Sequence, residues 1–88
     1  MYDFELRKSV EKIFFKLAKK NPKQLEIIHS KIKEIRLNPQ HYKNLRRPLQ
    51  HLKRVHIDKS FVLVFSVDES KKTVIIEDYD HHDNIYGR

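Results

Sequence analysis

Eight residues, Ser60-Phe61-Val62-Leu63-Val64-Phe65-Ser66-Val67, read as a strand whose two faces are both largely apolar: Phe61, Leu63, Phe65 and Val67 on one, Val62, Val64 and Ser66 on the other. Such a strand must lie inside a sheet, with an apolar layer over at least its first face. Leu52 to Asp58 and Thr73 to Tyr79 read as its neighbours, and Asp68-Glu69-Ser70-Lys71-Lys72 as a polar hairpin loop. Val74, Ile75 and Ile76 lack strict alternation, which predicts a strand largely buried on both sides.

The layer over that sheet comes from the first half of the chain. Tyr2 to Leu6 alternates loosely and predicts an edge strand. After Ser9, the expected N-cap, Val10, Ile13, Phe14 and Leu17 recur at helical spacing. Asn21-Pro22 restarts a helix, with Asn21 as its expected cap and proline in the first turn, where it lacks only a donor that would go unused. Leu25, Ile28, Ile32 and Ile35 carry its stripe until Asn38-Pro39 ends it. Two helices so closely joined predict an antiparallel pair. Gln40 to Gln50 is irregular, with Tyr42, Leu45 and Leu49 as anchors.

The expected fold is therefore α+β in the order β-α-α-β-β-β, one domain over residues 1–88, with the helix hairpin on one face of a twisted, mostly antiparallel sheet. The other sheet face is left partly open, for polar function or for a partner.

Size and charge narrow the function. Eighty-eight residues permit one modest core, which a partner covering an exposed face would stabilise. Nineteen Lys and Arg against twelve Asp and Glu leave +7, which favours a phosphate backbone or an acidic protein. The chain has no cysteine, so disulfides, thiolate chemistry and cysteine zinc sites are excluded. No run reaches membrane length and Met1-Tyr2-Asp3 does not open a signal pattern, so a cytoplasmic protein without a membrane partner is expected.

Candidate chemistry gathers in the last third. Alternation puts Arg54, His56 and Asp58 on one strand face, with Val55 and Ile57 on the other. His81 and His82 follow the last strand directly. Imidazole can act as base or acid near neutrality, so His56 and His82 suit RNA cleavage: one takes the proton of the ribose 2′-hydroxyl, the other protonates the departing 5′-oxygen. Arg54 is the expected stabiliser of the phosphorane charge. The expected RNA- and phosphate-facing residues are Arg46, Arg47, Lys53, Asp58, His81 and Tyr86, the last by stacking on a base or sealing the core edge. Asp80-His81-His82-Asp83 looks superficially like a metal cluster, but adjacent side chains diverge; no metal or other cofactor is expected. His29 and His41 stand alone and read as surface or packing residues.

The helix pair, Leu45-Arg46-Arg47-Pro48-Leu49, the strand Phe61 to Phe65 and the ending Asp80-His81-His82-Asp83-Asn84-Ile85-Tyr86 fall in the order and spacing of the RelE/ParE toxin superfamily, which the chain resembles over nearly its whole length. The ending also resembles the YafQ-type branch, in which a C-terminal histidine is followed four residues on by an aromatic. The resemblance implies a toxin that cleaves messenger RNA in the ribosomal decoding site and is neutralised by a cognate acidic antitoxin. It implies catalytic roles for His82 and His56, with Tyr86 beside them. Arg47 stands where the YafQ-type branch has a histidine, and Val62 where the family often has an arginine; Lys53 or Arg54 is the expected substitute. The ParE-type branch, which poisons DNA gyrase without cutting RNA, is the alternative the resemblance leaves open, together with an inactive binding protein.

Overall fold

The computed structural model describes residues 1–87. Its elements are β1 (Asp3–Leu6), α1 (Lys8–Lys20), α2 (Pro22–Leu37), β2 (Lys53–Ile57), β3 (Phe61–Asp68), β4 (Thr73–His81) and a short closing helix α3 (His82–Tyr86). The strands form one sheet in the order β1-β4-β3-β2, parallel between β1 and β4 and antiparallel elsewhere. This is the expected α+β arrangement.

Two helix starts and one bulge have local causes. Asn21 caps α2 as expected, its side-chain oxygen accepting from the Gln24 N–H at 3.2 Å, with Pro22 in the first turn. The expected cap at Ser9 is not observed: α1 begins at Lys8, and Arg7 at its N-cap supplies no side-chain bond. The Arg7 N–H instead bonds the Ile76 carbonyl at 3.1 Å, so the β1–β4 ladder runs into the turn and fixes where the helix starts. In β4, Val64 pairs with Asp78 and Phe65 with Ile76, leaving Glu77 as a bulge. The bulge shifts the alternation, so Val74, Ile76 and Tyr79 all face the helices. The run before the bulge itself alternates, Val74 and Ile76 buried and Ile75 half-buried on the other face, so the expected burial of this strand on both sides is not observed.

The main core lies between the helices and the sheet, built on Val10, Phe14, Ile28, Ile32 and Ile35 from above and Ile57, Leu63, Phe65, Val74 and Ile76 from below. Tyr42 packs edge-on against Phe65. The opposite sheet face carries a second, smaller core of Leu45, Val62, Val64 and Ile85, flanked by Leu49 and Leu52. The face expected to stand partly open is thus half covered, by the loop before β2 and by α3. No helix among the described residues is long and apolar enough to cross a membrane.

Candidate functional site: a cleft on the second sheet face

The small core holds two mobile-looking pieces of sequence in fixed places. In the loop, buried Leu45 and half-buried Leu49 sink into the core, so Arg46 and Arg47 between them stand exposed. Backbone bonds from the Leu45 N–H to Leu52 O (2.8 Å) and from the Arg54 N–H to Lys43 O (3.0 Å) tie the loop to β2. On the other side, α3 is anchored by Ile85, 5% exposed. The His82 N–H bonds Ser60 O at 2.7 Å, and Asn84 Nδ2 donates to Asp80 Oδ1 at 3.0 Å. Helical spacing then puts His82 and Tyr86 on one side of α3, and their rings meet edge to face with centres 4.6 Å apart.

Between loop and helix runs a cleft of about 490 Å³, lined by residues that include Arg46, Arg47, Arg54, His56, His82 and Tyr86. His56 projects into it from β2, because Val55 and Ile57 take the helix-facing positions. The His56 and His82 rings stack, with centres 5.8 Å apart and planes inclined by 27°. Tyr86 lies 6.3 Å from His56, and the Arg54 guanidinium carbon sits 5.7 Å from the Tyr86 ring centre. The cleft thus presents two exposed imidazoles, an aromatic face and three arginines to solvent. His82 Nδ1 also approaches Asp83 Oδ1, at 3.4 Å.

Three of the expected site residues lie elsewhere. Asp58 is not on the face of Arg54 and His56: its φ is 58°, so the chain has left the strand for the turn into β3. Lys53 shares the parity of Val55, not of Arg54, and its ammonium is engaged by Tyr42 O at 3.1 Å and Asn44 Oδ1 at 3.2 Å. His81 caps α3, Nδ1 accepting from the Asp83 N–H at 3.2 Å, and its ring meets Phe61 on the helix side of the sheet. Sequence reading also missed Asn44, Ile85, the Ser60 carbonyl and the Asp80–Asn84 bond, which shape the cleft or position α3. The one signal for them was the four-residue step from His82 to Tyr86. Among the described residues, no three His, Asp or Glu side chains converge to hold a metal.

Comparisons with known proteins agree with this fold. The chain is 62% identical to "Putative toxin RelE4" of Methanocaldococcus jannaschii, over 100% of the chain and 94% of that protein. A YoeB/ParE toxin from Agrobacterium tumefaciens superposes with a TM-score of 0.81 at 13% identity, over 91% of this chain and 98% of that one. The toxin–antitoxin complex RelBE of E. coli matches with a TM-score of 0.76 at 20% identity, over 90% of this chain and 94% of the matched one. No family model matches. The fold is that of the small RelE-like toxins. The chain belongs to the RelE/ParE superfamily of toxin–antitoxin toxins.

Proposed function

We propose that this toxin is a ribosome-dependent endoribonuclease whose cleft cuts messenger RNA by attack of a ribose 2′-oxygen on the adjacent phosphorus. The observation that carries this reading is the pair of exposed, stacked imidazoles, 5.8 Å apart at the edge of an arginine-lined cleft. At that separation both rings can address oxygens of one phosphodiester. One accepts the proton of the 2′-hydroxyl as the new O–P bond forms. The other donates a proton to the 5′-oxygen as the old P–O bond breaks. The products are a 2′,3′-cyclic phosphate and a free 5′-hydroxyl, and no redox partner or metal is required.

Charge on the phosphorane falls to the arginines. Arg54 is braced against Tyr86 and half-buried, and it is best placed to act as a fixed cation. Arg46 and Arg47 hold the flanking backbone from the loop, and Tyr86 offers the remainder of its ring to a base. With few catalytic groups, the cleft depends on the decoding site to bend the RNA into line. An antitoxin, the kind of partner present in the matched toxin–antitoxin complex, covers the toxin when it is not in use, and the +7 charge of this chain calls for an acidic one.

Purified protein with programmed ribosomes tests the assignment. His82→Ala and His56→Ala are each expected to slow cleavage by about 10²- to 10⁴-fold, with antitoxin binding retained. Full activity in either variant would remove that histidine from the reaction, and loss of wild-type activity in EDTA would reinstate a metal.

A further inference from the structure

His81, His82 and Asp83 follow one another at the start of α3, and of the three only His82 lines the cleft. The two rings are chemically alike, yet they meet Asp83 on opposite terms. The Asp83 backbone N–H donates to His81 Nδ1 at 3.2 Å, which caps the helix and requires that nitrogen to be bare. A neutral His81 ring therefore carries its proton on Nε2. The Asp83 carboxylate lies with Oδ2 3.8 Å from His81 Nδ1 and Oδ1 3.4 Å from His82 Nδ1. A carboxylate only accepts, so the bare Nδ1 of His81 offers it nothing. His82 can donate to it, and only as the Nδ1–H tautomer.

Other contacts already place the His82 ring. It stacks on His56 with centres 5.8 Å apart, and Tyr86 meets it edge to face at 4.6 Å. Its backbone N–H is tied to Ser60 O at 2.7 Å. These contacts fix where the ring lies and leave open which nitrogen carries the proton; the carboxylate decides that. An acidic residue in the first turn of a helix is ordinarily explained by the helix dipole, and Asp83 lies there. The dipole alone would leave an 83% exposed carboxylate in water, whereas here one oxygen is within hydrogen-bonding reach of an imidazole. Hydrogen bonds in catalytic sites often begin at such lengths and tighten as substrate binds.

We propose that Asp83 is a positioning residue: its carboxylate holds His82 as the Nδ1–H tautomer and so presents Nε2 as the nitrogen that exchanges a proton with the RNA. The proposal rests on the nuclease reading of the cleft. Whether the proton is taken from the 2′-hydroxyl or given to the 5′-oxygen, the same nitrogen handles it, and Asp83 never takes the proton itself. The arrangement needs two adjacent histidines in opposite tautomers, His81 with its proton on Nε2 and His82 with its proton on Nδ1.

Proton–nitrogen correlation spectra of the histidine rings in the isotope-labelled full-length chain read the tautomers directly, once raising the pH no longer moves the signals. The wild type is expected to show His82 mainly as Nδ1–H and His81 mainly as Nε2–H. In Asp83→Ala, His82 should shift toward the Nε2–H form, while His81 keeps its pattern because its partner is a backbone N–H. His81 thus reports that α3 is still formed. On programmed ribosomes, Asp83→Ala is expected to lower the maximal cleavage rate about 10-fold, the lower end for an orienting partner of a functional imidazole, with KM little changed. Added to His82→Ala it should cost nothing further, since it acts through that ring. His82 mainly as Nε2–H in the wild type, or an unchanged tautomer in Asp83→Ala, would overturn the proposal. So would an equal further loss in the His82→Ala background, which would make Asp83 a support of the helix. The nuclease reading fails separately: a wild-type chain that cuts no message, while its His82 is Nδ1–H and loses that form in Asp83→Ala, would keep the tautomer assignment and remove the reaction.

Discussion

The Tyr79 hydroxyl, on β4, accepts a hydrogen bond from Gln24 Nε2 of α2 at 2.6 Å inside the main core. Tyr79→Phe removes the acceptor and strands a buried amide, and it is expected to cost about 1–3 kcal/mol in urea unfolding. Glu77 works differently. Burial pushes its carboxyl up, but hydrogen bonds from Arg7 and Ser66, with the charge of Arg7, outweigh this and hold it below the ordinary value of 4.5. The unfolded chain then binds the proton more readily. The stability Glu77 contributes is complete above about pH 4.5 and is lost as pH falls through the lower, folded value. Thermal unfolding between pH 7 and pH 3 should show it: Glu77→Gln is expected to melt lower than wild type at pH 7 and to lose less on acidification. An identical drop in both would show that Arg7 and Ser66 stabilise nothing through this carboxylate. Single residues also mark where sequence stops being legible. Alternation places His56 and Arg54 on one face but fails at Asp58, because a positive φ follows from the turn's closure and not from residue type alone.

At the scale of elements, the long helices and the central strands were readable from side-chain period and from the two Asn-Pro steps. The bulge at Glu77 and helix α3 were not. A bulge is a relation between two strands, invisible in either one alone. A five-residue helix offers barely one repeat of 3.6, so α3 read as a tail after β4. Yet α3 places both His82 and Tyr86. Its hold is the apolar seat of Ile85 among Leu45, Val62 and Val64. Ile85→Ala is expected to cost about 2–5 kcal/mol where the seat cannot collapse, and to release α3 and the loop before the sheet. Amide exchange reads this out: α3 and residues 43–54 should lose protection while β3 and β4 keep theirs, and RNA cleavage should fall with them. Uniform loss across the sheet would instead make the two cores one cooperative unit.

For the whole molecule, the sheet separates a helix-covered face that holds the larger core from a second face that holds the smaller core and the cleft. The division explains why fold class was legible and the site only partly so. The large core imposes period on many residues, whereas the cleft is assembled from a loop, one strand position and a terminal helix far apart in sequence. It also sets the expectation for the partner. Co-expression with the neighbouring reading frame should yield a small acidic protein bound to this one, and the complex should melt well above the free toxin, as binding to the native state alone requires. Recovery of free toxin only, without effect on growth, would count against an antitoxin. The central claim, that the paired histidines cut messages held by ribosomes, is tested most directly by primer extension on a defined message in a translating extract. Discrete cuts are expected within the translated region when the wild-type chain is added, absent when initiation is blocked, and absent with His56→Ala,His82→Ala. Intact messages under all of these conditions, with DNA supercoiling by gyrase inhibited instead, would contradict it.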